Sequence, residues 1–132
     1  MMDQEFEAAL HPALYFMKML SEYRRLRIVT LLSLHRELSV SEMIAHLSVP
    51  QSAVSHALAD LRQAGIIACR RVGRNALYSL ADDKQELIGQ VIGLLMRQFP
   101  KEFSQPGFAL RDHQTIHADT RFRDGGKLWN YA

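Results

Sequence analysis

The residues best suited to chemistry lie between positions 50 and 80. Ser52, His56, Ala59 and Gln63 are spaced by four, three and four residues, so at about 100° per residue they share one side of a helix. Val54, Leu58, Leu61 and Gly65 fall on the other side, with Ser55 and Arg62 on a flank and Gln51 at the start. Short hydrogen-bonding groups around an alanine can approach base edges closely, and Ala59 can touch a thymine methyl. Just beyond, Arg70, Arg71, Arg74 and Asn75 surround Gly73. Flexible cations on a hairpin suit backbone phosphates or a minor groove. Residues 51–80 hold four arginines against Asp60 alone, whereas residues 1–20 hold Asp3, Glu5 and Glu7 against Lys18. This pattern offers nucleic-acid recognition. A solvated helix face beside a charged hairpin has the same composition, because outer helix faces are polar by default.

Other chemistries have less to work with. In Asp112-His113 and His117-Ala118-Asp119 the two histidines stand four apart. On a helix His113, His117 and Asp119 could hold Zn or Ni, and in a loose segment they are solvated side chains. No other cofactor is expected. Cys69 is the one cysteine, which excludes an internal disulfide and fits a reducing cytoplasm. Arg70 and Arg71 can lower its thiol pKa, making it a sensor. Strand alternation can equally turn it inward as a small apolar residue. Catalysis is not expected: there is no nucleotide-binding glycine loop, and Ser55 and His56 point about 100° apart on a helix.

These residues need elements to hold them. At 132 residues with 48% apolar and 23% charged side chains, the chain is about one domain. There is no signal-peptide pattern, no internal repeat, and no run near the roughly 20 apolar residues that span a bilayer. A first helix over 5–20 carries Phe6, Leu10, Leu14 and Met17, with its regular part starting near His11 so that Pro12 lies in the first turn. Ser21 can cap a second helix over 22–36, apolar on nearly all sides and so central to the core. Ser39 and Glu42 match a capping box that opens a short helix to Leu47. Ser48-Val49-Pro50 makes the turn to a helix ending at Ala64, stopped by Gly65. Residues 66–72 and 76–80 flank Gly73-Arg74-Asn75 as a hairpin. Asp82 or Asp83 caps a last helix to Phe99.

The expected fold is mainly α with a small β-hairpin wing. It is a winged helix-turn-helix in the order helix, helix, helix, helix, strand, strand, helix, followed by a tail. Residues 1–103 form the DNA-binding and dimerisation domain. Residues 104–132 form a tail packed on that domain or on a partner subunit, where Phe108, Phe122, Trp129 and Tyr131 could line a pocket for an organic ligand or extend an interface.

Residues 20–80 resemble the ArsR/SmtB family of bacterial regulators. The matching pieces, in order, are Arg24-Arg25-Leu26-Arg27-Ile28, Glu37-Leu38-Ser39-Val40-Ser41-Glu42, Gln51-Ser52-Ala53-Val54-Ser55, Leu58 and Leu61-Arg62-Gln63-Ala64-Gly65-Ile66-Ile67. Arg70-Arg71-Val72-Gly73-Arg74 and Leu77-Tyr78-Ser79-Leu80 complete the set. The resemblance implies a cytoplasmic homodimeric repressor that binds double-stranded operator DNA and is released by an effector, a small molecule or a protein. Half-sites would lie roughly 34–36 Å apart. Two positions depart from the family: Pro50 replaces a serine, and Ala57 replaces a histidine. Ser39 and Ser41 stand where metal-sensing relatives carry cysteines, and serine is a poor soft-metal ligand. Residues 82–99 offer Asp82, Asp83 and Glu86 but no histidine, which argues against a carboxylate–histidine zinc site there. The family's dimer is built by the first and last helices. Independently, Leu10, Leu14, Met17, Leu87, Val91, Leu94 and Leu95 exceed the apolar surface a small winged core can cover. The alternative function is a winged-helix protein-interaction module without DNA binding.

Overall fold

The computed structural model describes residues 2–103, with side chains for 3–101. The candidate tail residues His113, His117 and Asp119, and the aromatic residues beyond 104, lie outside the described residues. The elements are α1 (Met2–Leu20), α2 (Tyr23–Leu34), β1 (Leu38–Ser39), α3 (Val40–Leu47), α4 (Gln51–Gln63), β2 (Ile67–Val72), β3 (Asn75–Leu80), α5 (Gln85–Gln98) and α6 (Pro100–Phe103). The three strands form one antiparallel sheet in the order β1-β3-β2. This is the expected winged helix-turn-helix, with one strand more than the hairpin alone.

Helix α2 is the centre of the core, as its all-round apolar pattern requires. Every residue from Arg27 to Leu34 is buried. Around it pack Met19 and Leu20 from α1, Met43 and Leu47 from α3, Val54, Leu58 and Leu61 from α4, Ile67 and Leu80 from the hairpin, and Ile88 and Ile92 from α5. Arg27 is buried in this company because its guanidinium donates to the Leu47 carbonyl at 2.9 Å and lies 5.2 Å from the Tyr23 ring centre. A cation at the C-terminal end of α3 also meets the negative end of that helix's dipole.

The helix ends show where side-chain reach decides. Ser39 and Glu42 form the capping box: the Ser39 N–H donates to Glu42 at 2.8 Å, and the Glu42 N–H donates to Ser39 Oγ at 3.2 Å. Ser21 does not cap α2. Its hydroxyl donates back to the Lys18 carbonyl at 2.8 Å, and Glu22 becomes the N-cap, accepting from the Arg24 and Arg25 N–H groups at 3.2 and 3.0 Å. Burial works to raise the Glu22 pKa, but these two bonds outweigh it and hold the carboxyl below its ordinary value. Asp82 and Asp83 do not cap α5 either. They sit in a 3-10 turn, Asp82–Lys84, where Asp83 pairs with Lys84 at 2.9 Å and Asp82 accepts from Gln85 at 3.4 Å. Helix α5 therefore starts at Gln85 with no side-chain cap.

Two further boundaries differ from expectation. Helix α1 is continuous from Met2 and carries Pro12 inside it. Pro12 cannot bond the Ala8 carbonyl, but residues 3–15 are exposed, so water can satisfy that group. The hairpin turn is the pair Gly73-Arg74, with Asn75 already in β3 and Gly73 at φ 62°. That left-handed backbone is what a tight two-residue turn demands.

Replacing the fully buried Leu31 by alanine should cost about 2–5 kcal/mol, and Ser39→Ala about 1 kcal/mol, both read as shifts of the urea midpoint at unchanged slope.

Candidate nucleic-acid interface

Helix α4 is divided lengthwise. Val54, Ala57, Leu58 and Leu61 are buried, while Gln51, Ser52, Ser55, His56, Ala59, Arg62 and Gln63 are exposed. The structure thus leaves every residue singled out on this helix open to solvent, on one connected surface. Ala57, one of the two departures from the family, belongs to the buried side at 5% exposure. It is a packing residue here, and His56 is the outward imidazole. Pro50 occupies the N-cap in an extended conformation, with no side-chain bond to the helix. Its carbonyl accepts from the Ala53 and Val54 N–H groups at 3.1 and 3.2 Å.

The sheet sorts the wing arginines onto two faces. Cross-strand partners share a face, so Ile67 with Leu80, Cys69 with Tyr78 and Arg71 with Ala76 lie together. Ile67 and Leu80 are buried, which makes this the face turned toward the helices. Arg70 with Leu77 and Val72 with Asn75 lie on the opposite face. There Arg70 grips Glu37 through two nitrogens, at 2.5 and 2.9 Å. The hydrogen bonds and then the charge of Arg70 outweigh slight burial and hold the Glu37 carboxyl below its ordinary value, while raising the Arg70 pKa in return. Arg70 is thus paired with Glu37 while its side chain stays 61% exposed. Arg71 and Arg74 are exposed as well. Sequence reasoning missed Glu37 as a partner, because 33 residues separate the pair.

Between α4 and the wing sits a small polar cluster. Burial pushes the Tyr78 phenol pKa up; Cys69 beside it adds to the rise, and Arg62 from α4 offsets part of it. Cys69 is half-buried, on the inward face but at the margin of the core.

The apolar residues expected at a dimer interface differ in exposure. Leu10, Leu14, Met17, Leu87 and Leu94 are exposed, at 45–62%, and Phe6, Tyr15 and Phe99 join them. Val91 and Leu95 are half-buried, and Leu95 packs against the core. Among the described residues no group of three or more His, Cys, Asp or Glu side chains could hold a metal ion. No helix among them is long and apolar enough to cross a membrane.

Comparison with known proteins gives a consistent result. The profile of the arsR family of bacterial regulatory proteins matches residues 23–68. A transcriptional repressor SmtB homolog of Synechocystis sp. is 44% identical over 68 residues, 52% of this chain and 51% of that protein. The match thus spans about half the length of that relative. The transcriptional activator HlyU of Vibrio cholerae is 34% identical over 96 residues, 73% of this chain and 85% of that protein. The crystal structure of HlyU from Vibrio vulnificus superposes with a TM-score of 0.64 at 32% identity, covering 71% of this chain and 98% of the other.

The Glu37–Arg70 fork has a pH signature. A lowered carboxyl pKa keeps the fork intact above Glu37's unfolded value of about 4.5 and dissolves it as pH falls through the lower, folded value. The Arg70 Nε–H resonance should hold a bonded shift at pH 7, move to the free guanidinium position on acidification, and sit there already at pH 7 in Glu37→Gln. A resonance insensitive to both changes contradicts the fork.

Proposed function

The chain belongs to the ArsR family of bacterial regulatory proteins, a family of DNA-binding transcription regulators, and from that premise we propose that it is a twofold dimeric repressor whose α4 helices enter successive major grooves of operator DNA. The observation that carries this reading is the exposed side of α4. Seven named positions face outward there, all short, polar or basic, while the opposite side is sealed into the core. Such a helix is held by its back and offers its front.

Roles follow from chemistry. Ser52, His56 and Gln63 are the hydrogen-bonding readers of base edges, and Ala59 gives the clearance they need. The uncapped start of α4 turns its first N–H groups toward an acceptor from outside, and a backbone phosphate is the acceptor that duplex DNA provides. Arg71, Arg74 and Asn75 contact the flanking backbone or minor groove from the wing. Arg62 joins the two elements. Repression needs only that the bound dimer occlude the promoter. The SmtB homolog carries the name of a repressor and HlyU that of an activator, and occlusion is the simpler of the two mechanisms. The apolar surface of α1 and α5, centred on Leu10, Leu14, Met17, Leu87 and Leu94, is the proposed twofold contact. Ser39 serves as a helix cap and Ser41 is exposed, which supports no thiolate-type sensing site on α3.

Fluorescence anisotropy on duplexes selected from a random pool tests the assignment. Wild-type binding should weaken steeply with salt. Arg71→Ala and Arg74→Ala should each reduce the log–log salt slope by about 1, and Arg70→Ala should leave it unchanged. His56→Ala and Gln63→Ala should each lose about 1–3 kcal/mol of discrimination at one base pair with the slope kept. Leu14→Glu should sediment as a monomer and lose binding to paired half-sites. Failure to select any duplex, or binding indifferent to salt, favours the protein-interaction module instead.

A further inference from the structure

Three elements meet at one side chain away from the reading surface. Arg25, in the first turn of α2, spreads its guanidinium over three targets. Its Nε donates to the Met19 carbonyl at 2.7 Å, and one terminal nitrogen donates to the Lys18 carbonyl at 3.3 Å. The other terminal nitrogen faces the Asp60 carboxylate of α4 at 3.6 Å. All three nitrogens are engaged, each in a different direction. The site is partly shielded, with 20% of the Arg25 side chain and 38% of Asp60 exposed.

The two carbonyls belong to the last turn of α1, where the dipole is negative; that of Lys18 also accepts from the Ser21 N–H and hydroxyl at 3.2 and 2.8 Å. Arg25 therefore closes α1 at its C-terminal end. Asp60 sits one residue past Ala59 on α4, beside the outward side chains. One planar group thus joins the end of α1 to the third turn of α4, and α2 is its mount.

We propose that Arg25 and Asp60 are positioning residues that fix the angle between the dimerisation helix α1 and the reading helix α4. The inference rests on the α1 contact and the α4 reading surface proposed above. In a twofold dimer the separation of the two α4 helices depends on how each is set against its own α1. Helix α4 is about 20 Å long, so a swing of about 10° moves its far end by roughly one base-pair step of 3.4 Å. A small loosening at Arg25 then relaxes which half-site spacing is accepted. Lysine cannot replace arginine here, because its single ammonium cannot hold three directed contacts in a plane.

The clamp is tested first without DNA. Spin labels at His11→Cys and Gln63→Cys, in a Cys69→Ser background and diluted into unlabelled protein, report the distance from α1 to α4 within one chain. The parent should give a narrow distribution, broadened in Asp60→Asn and in Arg25→Lys. Asp60→Asn leaves the Arg25 bonds to α1 in place, so it keeps the fold if Arg25→Lys does not. Equal widths in parent and Asp60→Asn overturn the proposal. The second arm uses selected duplexes with half-sites moved by one base pair either way. Wild type should discriminate among spacings by about tenfold. Both variants should flatten that preference, with the double variant no worse than either single one and the salt slope unchanged. A sharp preference retained in Asp60→Asn overturns the proposal, as does a slope reduced by about 1 in the charge-removing Arg25→Gln, which would make Arg25 a phosphate contact. If wild type selects no duplex but the distances broaden as stated, the clamp stands and the DNA-binding reading falls.

Discussion

Burial of α2 on every side from Arg27 to Leu34 is the constraint from which the rest follows. An element wrapped all round by apolar neighbours has no freedom to rotate or slide, since any shift opens voids in a close-packed interior. Each neighbour is referred to it: the end of α1 through Met19 and Leu20, α3 through Met43, α4 through Val54, Leu58 and Leu61, and α5 through Ile88 and Ile92. The seating of α4 is therefore decided by its buried side. Apart from Asp60, its polar residues contribute little to holding it, which leaves them free to serve recognition.

Packing is non-directional, and charged side chains supply the direction. Three reach from α2, or from just beyond it, to the next element: Arg25 to α1 and α4, Arg27 to the last turn of α3, and Glu37 to β2 through Arg70. They differ in energetic weight. Arg27 is buried, and loss of its carbonyl partner would strand a charge in the core. The Glu37–Arg70 pair is open to solvent and adds little stability. Its consequence is geometric, because it ties the outer strand of the wing to the segment preceding β1.

The parts legible in the sequence were those governed by local period or by adjacent residues. The 3.6-residue pattern of α2 and α4, the Ser39–Glu42 box and the Gly73 turn all speak within a few positions. What escaped was set at a distance or by competition. Strand β1 is two residues long, and its only signal is its pairing with Leu77 and Tyr78, about forty positions later. Arg70 reads as a free cation until Glu37 is brought beside it by the fold. Ser21 is a cap by type, yet its hydroxyl bonds back to α1 and Glu22 caps α2 instead. Asp82 and Asp83 look like caps by type, yet neighbouring Lys84 and Gln85 take their oxygens.

Helix α1 shows why the reading surface and the dimer surface cannot be treated separately. From residue 3 to residue 15 every side chain is exposed, so the described part of the chain leaves this stretch largely uncovered. A helix of that length is marginal in water on its own, and Pro12 removes one of its hydrogen bonds. Whatever covers Phe6, Leu10 and Leu14 therefore also supports the helix that bears them. In the proposed dimer that cover is a second α1, and Arg25 passes its orientation on to Asp60 and α4. Order in α1 and subunit contact then rise together with protein concentration, so a protomer separated from its partner would lose the support of α1 as well as half of its DNA contacts.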